Sequence, residues 1–454
     1  MDVSFSPLQP VQVPADLLVL PVSRARELGL GAALDSVRFG GEALLPRREG
    51  DPFEARALLV VGDPGDEHEV RRLMGRLAPR LKDFARVAVG LPYAEEVIEG
   101  VRLGGYLFDG YKSRPDGRAI KELVVFGEGD AQRAGIIADA VLFARDLVNT
   151  PGGDLTPMLL AERAKATGLE VSVLGTDDLE RGGFGGILGV GAGSANPPCL
   201  IEVTYRGGDR HIGLAGKGIT FDSGGLDIKS LKAMADMKSD MAGGATMLAV
   251  TQAAARLGLP VTVSTVIPAA ENMVGGHATR PGDVLRHRNG RTTEVTDTDC
   301  EGRLVLADAL AYLSEKRPEV MIDAATLTYS VMHALGEELT GVLGSSPELV
   351  RSLIEVGAAN DEPLWELPLW RPYTRKLRSD VADARNDGGE HADAIIAGLF
   401  LEPFTAGIPW AHLDFATTAY LNRPTDLGPA GATGTMVRTL ISYLQRGSVR
   451  AWSA

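Results

Sequence analysis

Three carboxylates at alternate positions, Asp297, Asp299 and Glu301, stand ahead of Arg303 and an apolar helical pattern in the stretch Asp297-Thr298-Asp299-Cys300-Glu301-Gly302-Arg303-Leu304. In an extended segment residues two apart point the same way, so these acids would crowd onto one face. At ~4 Å and the effective dielectric of a near-surface site, each pair repels by about 4 kcal/mol. The fold must bring cations to this face or leave it fully in water.

A second stretch argues against water alone. The strand-like run His211 to Ala215 is broken by Gly216-Lys217-Gly218 and, after Ile219-Thr220-Phe221, by Asp222-Ser223-Gly224-Gly225-Leu226-Asp227-Ile228-Lys229. Glycine lets the backbone turn sharply and approach a ligand. Charged residues among glycines at the end of a strand mark the usual binding site of α/β proteins. A third stretch, Met237-Lys238-Ser239-Asp240-Met241-Ala242-Gly243-Gly244, sets one more carboxylate at the head of a helix expected to run to about Leu257. Taken singly, Asp240 reads as an N-cap, the lysines as solvated side chains, and the acids as a polar loop. Only their combination points to a site.

None of the three stretches contains a histidine, and Cys300 is their only thiol. Oxygen-rich sites of this kind suit hard or borderline ions such as Mg, Mn and Zn. Asp222, Asp240, Asp299 and Glu301 together carry a charge that two divalent cations would balance. Paired cations about 3.5–4 Å apart are a known device for hydrolysis, so the residues alone read as a two-metal hydrolase. A phosphoesterase would use the same ions but would recruit histidines and basic residues for the phosphate.

In order and spacing the three stretches resemble the signatures of the leucyl aminopeptidases, or cytosol aminopeptidases, whose hallmark reads Asn-Thr-Asp-Ala-Glu-Gly-Arg-Leu. This chain has Asp297 for the Asn and Cys300 for the Ala. The resemblance runs from about Ala144-Arg145-Asp146-Leu147-Val148-Asn149 to Ala432-Thr433-Gly434, through Ser379-Asp380-Val381-Ala382-Asp383 and Pro409-Trp410-Ala411-His412-Leu413-Asp414. It implies a metal-dependent aminopeptidase that removes the N-terminal residue of peptides through a two-metal-activated water. One ion would be held by Asp222, Asp299 (side chain and backbone carbonyl) and Glu301, the other by Lys217, Asp222, Asp240 and Glu301. Lys217 must then be neutral, a direction in which nearby dications push a lysine. Lys229 would stabilise the oxyanion. Arg303 would hold a bicarbonate ion acting as general base. The resemblance also implies a homohexamer and a cytoplasmic location, and some family members bind DNA.

The remaining expectations follow from composition and pattern. The fold class is α/β, with a smaller N-terminal α/β domain (1–130), a linker helix (131–153) and a larger catalytic α/β domain (154–454) around a central mixed sheet. Strand-like runs lie at Ala15–Pro21, Ala57–Val61, Arg86–Leu91 and Glu122–Phe126, then at Cys199–Tyr205, Val261–Pro268, Val320–Ala324 and Ala411–Phe415. Helical patterns cover Gly302–Glu315 and Pro347–Ala358. With 44% hydrophobic residues and two cysteines in 454, the chain shows no disulfide framework. No run approaches the ~20 apolar residues of a membrane span. A net charge of −14 argues against a nucleic-acid partner.

Some signals read as bland. Gly189-Val190-Gly191-Ala192-Gly193 lacks the third glycine of a dinucleotide loop. Cys300 is expected to face away from the acids, and His391 and His412 to be hydrogen-bonded residues rather than ligands. Departures from the family pattern bear on substrate choice. Tyr329 stands where relatives have glycine, in a first-residue pocket walled by Met237 and Thr326, and Asp393 also replaces a glycine of many relatives. A preference for leucine therefore does not follow from the resemblance, and Tyr329 is expected to disfavour large first residues relative to small ones.

Overall fold

The computed structural model describes residues 1–30 and 42–446. The chain forms two compact units, Met1–Asp139 with Arg423–Ala430, and Ala140–Asn422 with Gly431–Ala454. The boundary falls inside the helix Ala131–Asn149.

The first unit holds a six-stranded sheet of β1 (Asp2–Phe5), β2 (Leu17–Pro21), β3 (Ala43–Pro46), β4 (Ala57–Val61), β5 (Arg86–Val89) and β6 (Glu122–Val125). Its order is β1-β6-β5-β2-β4-β3, parallel except for the edge pair β3–β4. Runs such as Leu17-Leu18-Val19-Leu20 are buried at every position, as a parallel sheet covered on both faces requires.

The second unit is built on a nine-stranded mixed sheet. Its strands are β7 (Glu170–Leu174), β8 (Cys199–Arg206), β9 (His211–Gly216), β10 (Gly218–Asp222), β11 (Thr262–Asn272), β14 (Val320–Ala325), β15 (Thr340–Gly344), β16 (Leu364–Glu366) and β18 (Trp410–Asp414). The order is β16-β15-β18-β14-β9-β11-β8-β7, with β10 pairing to β11. A small three-stranded sheet of β12 (Val284–Arg286), β13 (Thr292–Glu294) and β17 (Ala384–Arg385) was not expected from the sequence. The fold is thus mixed α/β with separate sheets in its two units. The expected strands are present, with β11 extending four residues beyond Pro268 because it pairs with β8, β9 and β10 in turn.

At the centre of this sheet β18, β14, β9 and β11 run parallel, so their carboxyl ends share one edge. Lys217 follows the last residue of β9, Asp222 ends β10, Thr326 follows β14, and Asp414 ends β18. The helix Ala242–Arg256 begins just after Asp240, and the helix Gly302–Ser314 just after Glu301. Both helices are buried along most of their length, which fixes the two carboxylates at their entries. Among the described residues no helix is long and apolar enough to cross a membrane.

Candidate metal centre

The three stretches converge. Lys217 Nζ lies 2.8 Å from Asp240 Oδ2 and 2.8 Å from Glu301 Oε1, and donates to the Thr326 carbonyl at 3.1 Å. Lys229 Nζ lies 2.8 Å from Asp222 Oδ2 and 2.5 Å from Asp299 Oδ1. Asp222, Asp299 and Glu301 each offer an oxygen within 4.8 Å of the others. Asp240 stands on the far side of Lys217 and accepts a further bond from Thr326 Oγ1 at 2.7 Å. Its side chain does not cap the helix that follows.

Burial and mutual repulsion dominate the electrostatics. Burial, then the charges of Asp222 and Glu301, push Asp299 up to about 7 against the pull of Lys229. Burial raises Asp240 well above the usual carboxylate range, and Glu301 above it, with neighbouring carboxylates adding to the rise and the lysines opposing it. Burial alone would lower Lys217 and Lys229, but the surrounding carboxylates outweigh it and raise both. The ligand role of Lys217 demands the opposite direction; burial works that way but is outweighed by the carboxylates, and cations placed among them would add to it.

The residues fit divalent cations. Asp240 Oδ2, Asp299 Oδ1 and both oxygens of Glu301 are buried without accepting a hydrogen bond. Three of these oxygens have an ammonium nitrogen at 2.5–2.8 Å, so their contacts are ion pairs with Lys217 and Lys229, and only Glu301 Oε2 has no such neighbour among the described residues. A buried carboxylate oxygen with no partner, as at Glu301 Oε2, is expensive unless something else coordinates it. Four carboxylates face two ammonium groups, so without further cations the carboxyls can be relieved only by holding protons, the direction in which Asp240, Asp299 and Glu301 are pushed. The donors are oxygens and one amine, which suit Mg, Mn or Zn.

Backbone geometry explains why glycine surrounds the site. Gly224 and Gly225 take φ of +85° and +67°, and a Cβ on Gly224 would lie 3.0 Å from Asp299 Oδ1. A Cβ on Gly302 would lie 2.6 Å from Lys217 Nζ.

Two expectations fail because residues 296–301 turn rather than extend. Asp297 does not join the cluster: its Oδ1 accepts the Asp299 N–H at 2.7 Å, and burial raises its carboxyl. Cys300 does not sit on an opposite face but lines the same cavity as the acids. Burial raises its thiol, which disfavours the thiolate that a metal ligand needs.

Several positioning residues were given no role by the sequence, although Asp227 and Asp414 fall within its motifs. Asn272 Nδ2 donates to Asp222 Oδ1 at 2.8 Å and to the Thr298 carbonyl at 3.0 Å. Asp227 Oδ2 accepts the Thr298 N–H at 2.8 Å. Asn386 accepts from the Thr296 N–H at 2.8 Å and donates to the Asp297 carbonyl at 2.6 Å. Asp414 takes the Thr328 hydroxyl at 2.7 Å, fixing the turn between Thr326 and Tyr329.

A cavity of about 630 Å³ opens over the cluster, with Met237, Thr326, Tyr329, His391 and Asp393 on its wall. Tyr329 begins the helix Tyr329–Leu335, is 47% exposed, and has Lys229 Nζ 5.7 Å from its ring centre. His412 is buried in β18 and pairs with Asp323 at 2.6 Å. The Gly189–Gly193 run is a packing feature, for a Cβ on Gly193 would lie 2.1 Å from the Met273 carbonyl oxygen.

Arg303 is buried, with Nη1 donating to the Asn386 carbonyl at 2.8 Å and Nη2 to Asp393 Oδ1 at 2.7 Å. Asp393 already meets the charge of Arg303, whose Nε is left without a partner among the described residues, so a bicarbonate ion beside it would be a second anion, repelled by about 4 kcal/mol at ~4 Å.

Residues 142–441 match the profile of the cytosol aminopeptidase family, catalytic domain. A probable cytosol aminopeptidase of Geobacter sulfurreducens is 44% identical over 395 residues, 83% of this chain and 80% of that relative. The bottromycin maturation enzyme BotP in complex with Mn superposes with a TM-score of 0.86 at 36% identity, covering 96% of this chain and 100% of that one. A mutant of tomato leucine aminopeptidase does so with a TM-score of 0.88 at 28% identity, over 98% of this chain and 96% of its own.

Proposed function

Since the chain belongs to the cytosol aminopeptidase family, and is thereby a peptide hydrolase, we propose that it releases N-terminal residues with two divalent cations bound at the acidic cluster. The observation that carries this reading is the convergence of the carboxylates Asp222, Asp299 and Glu301, with oxygens within 4.8 Å of one another and Glu301 Oε2 lacking any partner among the described residues. Asp222, Asp299 and Glu301 would hold one cation, and Lys217, Asp222, Asp240 and Glu301 the other. When bound, such a pair would supply Lewis-acid polarisation of the scissile carbonyl and lower the pKa of a bound water.

The chain's own residues do the rest. Lys229 keeps its proton among carboxylates and offers an ammonium to the oxyanion that forms as the carbonyl is attacked. Met237, Thr326 and Tyr329 wall the pocket for the first side chain, and the ring of Tyr329 reduces the room for a bulky one. Mn is favoured by the Mn complex of BotP; Zn and Mg suit the same donors. A homohexamer in the cytoplasm, acting on peptides that can enter it, completes the proposal. Chelated protein is to be assayed on a panel of aminoacyl amides and dipeptides with Mn, Zn or Mg added back. Metal-dependent release of the first residue supports the reading, and its absence with all three ions overturns it.

A further inference from the structure

The buried Arg303 does not await an external anion, because the chain has supplied one. We propose that Asp393 is the general base of this enzyme, a side-chain carboxylate in the place where the family pattern brings bicarbonate; the proposal rests on the aminopeptidase reading above. Arg303 is 1% exposed, and its Nη2 holds Asp393 Oδ1 at 2.7 Å. The Asp393 side chain keeps 21% of its surface exposed and lines the cavity that contains Asp222, Lys229, Asp240 and Asp299. Among the described residues nothing bonds to its Oδ2, so that oxygen is available to a water in the cavity. The chain enters Asp393 through Ala392 at φ +66°, a conformation that costs a non-glycine residue of order 1 kcal/mol or more and collects at functional positions. Glycine at 393 would leave Arg303 without this partner.

The step balances. Asp393 takes one proton from the attacking water as the water oxygen bonds to the carbonyl carbon. When the carbon–nitrogen bond breaks, that proton passes from Asp393 to the departing amine, and the carboxylate is regenerated. The second water proton stays on the new carboxyl group until it ionises in solvent.

The test uses the metal-loaded full chain in buffer stripped of carbon dioxide, with and without added bicarbonate. The wild type should be equally active in both, and ¹³C-bicarbonate should show no binding by NMR. Asp393→Asn, which preserves shape, should lower kcat by on the order of 10²–10⁴ with metal content unchanged. Asp393→Gly should be similarly slow without bicarbonate, bind ¹³C-bicarbonate, and recover at least tenfold when it is added. Bicarbonate stimulation of the wild type, or an Asp393→Asn variant with wild-type kcat, overturns the proposal while leaving the aminopeptidase reading intact. A wild type that releases no N-terminal residue with any metal overturns the aminopeptidase reading instead.

Discussion

Replacing Gly302 by alanine separates the placement of Lys217 from its charge. The added methyl group would lie 2.5 Å from Lys217 Cε, 2.6 Å from Nζ and 2.9 Å from Leu327 Cδ1, whereas ordinary contact begins near 3.4 Å. Lys217 must therefore retreat by about 0.9 Å. It has little room to do so, because it is 3% exposed and held between Asp240 and Glu301. Overfilling a packed site costs about 1–3 kcal/mol, and misplacing an active-site group by ~1 Å costs about 10² in rate. Gly302→Ala should lose about 100-fold in kcat/KM on a leucyl substrate and unfold at lower denaturant, with weaker binding of one cation. Measurement of kcat/KM, denaturation midpoint and bound metal on the same preparation tests all three. Wild-type activity and metal content in Gly302→Ala would show that Lys217 is not a ligand, or that its position is unimportant.

Removing a ligand differs from removing a charge that acts on the substrate. Glu301→Ala should lose both hydrolysis and bound metal, while Lys229→Ala should lose on the order of 10²–10³ in kcat with metal retained; comparable metal loss in the two refutes the division of roles. Tyr329→Gly should raise kcat/KM for large first residues relative to small ones by about 5- to 150-fold, the equivalent of 1–3 kcal/mol of overfilling, and unchanged preference would mean that the ring points away from the substrate. For chelated protein, Asp299 at about 7 when folded, against an ordinary value of 3.8, binds more protons folded than unfolded between those values. Its contribution is thus greatest below pH ~4 and is lost as pH rises through ~7. Added metal should reverse that loss, and denaturation at pH 6 and pH 8 with and without Mn checks both signs.

The sequence was most legible where chemistry is dense. Charged residues among glycines at a strand end have few structural uses, and all five proposed ligands do meet in one place. The long apolar runs likewise mark the strands, since a parallel sheet covered on both faces leaves no polar positions. What was not legible depends on partners far along the chain. Asn386 is 90 residues from Thr296 and Asn272 is 50 from Asp222, and an uncharged amide has nothing to distinguish it before its partner is known. The pair Arg303–Asp393 spans the same kind of distance. Residues 296–301 misled because alternation suggests an extended strand, whereas the Asp297 side chain bonds its own backbone two residues on and turns the chain. The return of Arg423–Ala430 to the first unit follows no local pattern either.

Cation stoichiometry and hydrolysis, measured together, test the two-cation reading most directly. Chelated, metal-free chain should be titrated with Mn by calorimetry while release of the first residue from an aminoacyl amide is followed on the same samples. Two equivalents per chain, with hydrolysis appearing only on metal addition and both lost when Asp222, Asp240, Asp299 and Glu301 are replaced together by their amides, is the predicted result. Undiminished hydrolysis after exhaustive chelation, or two equivalents bound by the fourfold amide variant, would contradict it.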